Sequence, residues 1–162
     1  MRYWAWAAAG LAMLVAEGGA LAAEAKRKVP YFGSIAAGRA RMRTGPDKTY
    51  PANWLYQRAD LPVRVVATFK QWRKVEDPDG TQGWMLAALL SERRTAIVRG
   101  TQPLAMHDAP SAGAKLLWRA APGVVGRISA CTDGWCRLDV KGQAGFVQAA
   151  SLWGVEGGER LP

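Results

Sequence analysis

A single histidine, His107, and two cysteines, Cys131 and Cys136, are the whole stock of nitrogen and sulfur metal ligands in this sequence. A structural zinc takes four such ligands, so that kind of site is excluded, and no metal or cofactor is expected. Catalytic signatures are equally scarce. There is no phosphate-cradling G-x-x-x-x-G-K-S/T loop and no serine set in a nucleophile elbow. Asp108 follows His107 directly and would face the other side of a strand. A hydrolase using His107 and a nearby acid remains only as the alternative to a non-enzymatic binding protein.

Long apolar runs are also missing. The one extended run covers residues 3 to 16, shorter than the roughly 20 residues a helix needs to cross a bilayer. Arg2 precedes it and Ala20-Leu21-Ala22 follows it, a small-x-small cleavage signal. That is the layout of a secretory signal peptide, expected over residues 1–22, with an uncleaved anchor as the alternative. Cleavage leaves no transmembrane segment. The expected location is therefore the periplasm. Acidic residues are few: 13 against 22 Lys and Arg, a formal net charge of +9. In an exported protein such a balance points away from nucleic acid and toward envelope polyanions.

What the sequence does contain is repetition. Arg41-Met42-Arg43-Thr44-Gly45-Pro46 returns as Ala105-Met106-His107-Asp108-Ala109-Pro110. Trp72-Arg73-Lys74-Val75 returns as Trp135-Cys136-Arg137-Leu138, and Gly83-Trp84-Met85 as Gly145-Phe146-Val147. The offset falls from 64 residues (Pro46 to Pro110) to 63 (Trp72 to Trp135) to 62 (Gly83 to Gly145). Small changes in loop length produce such a drift. Two copies make two small domains, since a solenoid needs three or more stacked units. The expected division is a lead-in over 23–32, a first domain over 33–98, a second over 99–155 and a tail over 156–162.

Frequent Gly and Pro between short apolar runs predict an all-β fold. In the first copy strands are expected at 39–43, 63–69, 72–76, 83–85 and 96–98. The second copy places them at 103–107, 115–118, 124–130, 135–140 and 144–147. Short helical turns are expected at 86–90 and 148–152. Residues 45–61 read as one long connection. Sheets this small must close on themselves to bury a core.

The cysteines bracket Asp133-Gly134, a strong signal for a two-residue hairpin turn. With that turn Thr132 opposes Trp135, and Cys131 opposes Cys136 in the next, non-hydrogen-bonded pair. There the backbones come close enough for a disulfide. The spacing is not C-x-x-C, so a structural bond is expected, with a redox-active pair as the alternative.

The ordered pattern Arg43-x-Gly45-Pro46, Tyr50-Pro51, Trp54, Leu61-Pro62-Val63, Trp72, Asp79-Gly80-Thr81, Gly83-Trp84, Leu90 and Arg94 resembles the bacterial SH3-like domain. Gly134-Trp135-Cys136 and Leu152-Trp153-Gly154-Val155 resemble the exported type with two tandem copies. The likeness runs from about Gly33 to Val155. It implies two small β-barrels and a binding role, often at the cell wall. Two positions depart from the pattern: Arg41 stands where an Asn is usual, and His107 replaces the second copy's Arg.

Candidate ligand-binding residues are Arg43, Tyr50, Trp54, Tyr56, Trp72 and Trp135. Strand parity puts Trp72 beside Lys74, and Trp135 beside Arg137, on the face opposite the core. A ring beside a cation can receive a sugar or peptide; packing under a loop is the alternative. Arg39, Arg41 and Arg43 share one strand face, suited to carboxylates or, for Arg39 and Arg41, to a solvated edge. Tyr50, Trp54 and Tyr56 either line a groove or pack the long connection onto the barrel. The expected partner is a cell-wall polymer, peptidoglycan above all, or an envelope protein; a structural or assembly role is the further alternative.

Overall fold

The computed structural model describes residues 27–161; the signal-peptide expectation over 1–22 and the start of the lead-in lie outside the described residues. Seven strands build the first sheet: β1 (Tyr31–Ile35), β2 (Ala40–Arg43), β3 (Ala52–Tyr56), β4 (Pro62–Phe69), β5 (Trp72–Glu76), β6 (Gln82–Leu86) and β7 (Leu90–Ser91). Seven more build the second: β8 (Thr95–Val98), β9 (Leu104–His107), β10 (Leu116–Ala120), β11 (Val125–Thr132), β12 (Trp135–Val140), β13 (Gln143–Gln148) and β14 (Leu152–Trp153). The strand orders are β3-β2-β6-β5-β4-β1-β7 and β10-β9-β13-β12-β11-β8-β14. Adding seven to each label converts the first order into the second, so the duplication is a duplication of topology. The fold is all-β, two tandem SH3-like barrels.

Each long hairpin carries a bulge, between Val65 and Ala67 in one copy and between Ile128 and Ala130 in the other. Bulges increase local twist and bend a strand, which lets so short a sheet wrap around its own core. That core holds Ile35, Met42, Val63, Val65, Val75 and Met85 in the first barrel. In the second it holds Ala96, Val98, Met106, Leu138 and Val147, with the two cysteines. Gly83 and Gly145, which recur in the repeat, stand where strands approach closely. A Cβ on Gly83 would lie 2.5 Å from Met42 Cγ and 2.8 Å from the Arg43 carbonyl oxygen. On Gly145 it would lie 2.9 Å from Met106 Cβ.

Single 3-10 turns occur at Ala87–Leu89 and Ala149–Ser151, inside both stretches expected to turn. Other expectations are corrected. Residues 96–98 do not belong to the first domain: Val125, Gly126 and Arg127 of β11 pair with Ile97, Ala96 and Thr95, and β14 pairs with β8 on its other side. Residues 31 and 32 are not lead-in, because β1 pairs with β4 from Tyr31 onward. Within the tail, Leu161 forms an isolated bridge with Cys131. The long connection over 45–61 contains β3, which pairs with β2.

Only Glu92, Arg93 and Arg94 separate the two sheets. Phe32 meets Trp153 edge-on across the junction, ring centroids 5.1 Å apart. Arg94 donates to both Glu159 oxygens and, at 2.8 Å, to the Gly154 carbonyl. Arg99 of the second barrel donates to the Pro78 carbonyl of the first at 2.7 Å. No helix among the described residues is long and apolar enough to cross a membrane.

Candidate functional site

Strand β2 alternates by the simplest rule of a pleated sheet. Ala40 and Met42 are buried, while Arg39 and Arg41 are exposed and Arg43 half-exposed. The arginines therefore line one outer face, where they border a groove of about 380 Å³. Leu55 reaches the same groove from β3, opposite Arg41 in the register. Trp72, Leu86 and Leu89 supply apolar lining, and Lys48 adds a fourth cation. Among the described residues no acidic side chain borders this groove.

Trp72 is only 4% exposed. It pairs with Leu86, and the 3-10 turn that follows is pinned by the Ala87 N–H donating to the Gln71 carbonyl at 2.8 Å. Trp72 thus packs beneath that turn and offers the groove a lining surface, not a free-standing platform. Arg43 donates through Nη1 to the Tyr50 carbonyl at 2.7 Å. The Tyr50 ring lies where a Cβ on Gly45 would sit, within 2.5 Å. Arg43, Gly45 and Tyr50 together close the loop that carries Lys48. Asp47 accepts the Thr49 N–H at 2.9 Å within that loop, and this bond first of all holds its carboxyl below the usual range.

The remaining candidates are dispersed. Tyr56 is buried, its hydroxyl donating to Asp77 Oδ2 at 2.8 Å, so it packs the connection onto the barrel and cannot line a groove. Trp54 is exposed and tilted against Tyr56, ring centroids 6.4 Å apart, away from the arginine face. Trp135 is half-buried and edge-on to His107 at 6.0 Å, while His107 Nδ1 is 2.9 Å from the Ala114 carbonyl. His107 thus occupies the place of Arg43, and the 64-residue offset sets Pro103 and Ala105 where the first copy has Arg39 and Arg41. The second barrel lacks the arginine ladder. Lys48, Leu55, Leu86 and Leu89 were not anticipated, because they come from separate segments that meet only in the folded sheet.

Cys131 and Cys136 are bonded, with Cα atoms 4.1 Å apart, and the register pairs them directly. Asp133 and Gly134 have φ of 48° and 80°, as a two-residue type I′ turn requires.

Two tandem, topologically equal small barrels, one bearing a cationic groove, define the class of this protein as a double SH3-like module. The family described as the bacterial SH3 domain matches residues 36–92 and 101–154, and the chain belongs to that family. No curated protein matches the chain. Similar solved structures include NlpC2 from Trichomonas vaginalis, 15% identical, covering 81% of this chain and 52% of that one with a TM-score of 0.35. NlpC1 from Trichomonas vaginalis is 15% identical, with coverage of 88% and 51% and a TM-score of 0.36. An NlpC/P60 family protein from Bacillus cereus is 15% identical, with coverage of 75% and 55% and a TM-score of 0.34. The chain spans about half the length of these structures.

Proposed function

We propose that this chain is a non-catalytic, exported binding module of the bacterial cell envelope, and that its first barrel takes peptidoglycan. The observation that carries the reading is the groove of Arg39, Arg41, Arg43 and Lys48 over Trp72 and Leu55. Guanidinium forks suit the carboxylates of wall stem peptides, and the apolar lining suits the uncharged faces between them. The disulfide supports an oxidising compartment, the periplasm.

Retention of the purified protein on insoluble peptidoglycan tests this. Wild type is expected to sediment with the wall at physiological salt, and Arg39→Ala with Arg41→Ala to lose affinity roughly tenfold, ~1.4 kcal/mol. No retention of wild type overturns the wall reading and leaves an envelope protein as ligand. Muropeptide release that disappears in His107→Ala would instead make the protein a hydrolase.

A second reading is favoured by the junction. Phe32 against Trp153 and Arg94 on Glu159 suit a structural or assembly factor whose barrels act as one rigid spacer.

A further inference from the structure

A second basic cavity lies between the barrels, away from the arginine groove. Its volume is about 480 Å³. Arg58 enters it from the β3–β4 connection, Arg93 from the linker, Arg127 from β11 and Lys141 from the β12–β13 turn. Two carboxylates, Asp60 and Asp139, line it as well. Four cations less two anions leave a surplus of two positive charges.

One carboxylate is neutralised by an arginine, and the other, Asp139, stands opposite Arg127 in the register without forming a salt bridge to it. Asp60 pairs with Arg93 at 3.2 Å, and Asp139 accepts the Gly142 N–H at 2.8 Å. Among the described residues, Arg58, Arg127 and Lys141 make no salt bridge. Arg58 reaches only the Gly123 carbonyl, at 3.5 Å from each terminal nitrogen, long for a hydrogen bond. Asp60 holds φ of 62°, an uncommon conformation outside glycine that concentrates at functional sites. Thr95, 2% exposed, lines the same cleft, and its Oγ1 has no hydrogen-bond partner among the described residues. Uncompensated like charges drawn from both barrels around one cavity repel one another unless an anion joins them.

We infer that this cleft is a binding site for a small ligand carrying at least two oxyanion groups, held between the barrels by Arg58, Arg127 and Lys141. Phosphate and carboxylate share the required chemistry, and arginine forks accept either.

The test uses the intact chain with two probes, inorganic pyrophosphate and the tripeptide triglutamate, followed by amide chemical shifts and calorimetry. Saturable binding of at least one probe is expected, with shifts centred on Arg93, Gly126, Arg127 and Lys141. Arg127→Ala with Lys141→Ala, both exposed positions, is expected to weaken it at least tenfold. Arg39→Ala with Arg41→Ala should leave it unchanged. Preference for pyrophosphate identifies a phosphate ligand, and preference for triglutamate a carboxylate one. Failure of both probes to bind overturns the inference, as does equal binding by the cleft variant. Shifts centred on Arg39 to Arg43 also overturn it and assign the anion to the groove, whereas failed peptidoglycan retention with intact cleft binding overturns only the wall reading.

Discussion

The Tyr56 hydroxyl donates to Asp77 Oδ2 at 2.8 Å, while Asp77 Oδ1 accepts the N–H groups of Asp79 and Thr81. One buried carboxylate thereby ties the edge strand β3 to the turn between β5 and β6.

Tyr56→Phe removes one donor and leaves that oxygen buried without it. The expected loss is about 1–3 kcal/mol, the cost of an unsatisfied buried group. Burial first, and then the bond to Asp77, push the phenol above its ordinary value of 10.0. A raised value means the folded state favours the protonated phenol, so its contribution is complete below 10 and is lost as pH rises toward the folded value. Urea denaturation at neutral pH measures the loss. A series extended above pH 10 should show wild type weakening more steeply than Tyr56→Phe; parallel curves would contradict the assignment.

Arg94 lies 5.9 Å over the Phe32 ring of the first barrel and pairs with Glu159 after the second, so the junction is expected to be acid-sensitive. The bond from Arg94 is the first cause holding the Glu159 carboxyl below its ordinary 4.5, against the opposing effect of burial. A lowered value stabilises the folded arrangement above 4.5, and that stabilisation is lost as pH falls through the folded value. NMR relaxation at neutral pH should give both barrels one rotational correlation time. Two separate times are expected below that range in acid, and at neutral pH in Glu159→Ala. Independent tumbling of wild type at neutral pH would defeat the prediction.

Reducing the Cys131–Cys136 bond should cost about 2 kcal/mol, as expected for so short a loop. Replacing both cysteines by alanine should cost more, because Cys131 and Cys136 are buried in the second core and truncation also removes packed atoms. Thiol titration of the envelope-derived protein under denaturing conditions checks the bond itself, with two free thiols per chain as the contrary result. Thermal melts of the oxidised, reduced and alanine forms, expected in descending order of stability, separate the two contributions.

The hairpin of Cys131 to Cys136 was legible because everything that sets it lies within six consecutive residues. Repetition made the two barrels legible for a similar reason: Trp72 and Trp135, or Gly83 and Gly145, occupy positions whose constraints recur. Strand β3 was not, since Ala52 to Leu55 are all exposed and show no alternation between inside and outside. Membership of β8 depends on Ile97 meeting Val125, a pairing between distant segments that no local pattern announces. The groove was half legible. Arginine alternation in β2 gave its charged side, but Lys48, Leu55 and Leu86 come from separate segments that meet only after folding. Which of its two readings Tyr56 takes was not legible, because its partner, Asp77, lies 21 residues away.

The β8 assignment fixes where this protein can be divided. Ala96 and Val98 are buried in the second core and pair with β11 or β14. A break within Glu92 to Arg94 yields two pieces, each keeping all seven of its strands. A break after Val98 hands the first piece a strand it cannot use and leaves the second with an open seam between β11 and β14. Recombination or domain shuffling that respects whole barrels therefore has a three-residue window in which to act.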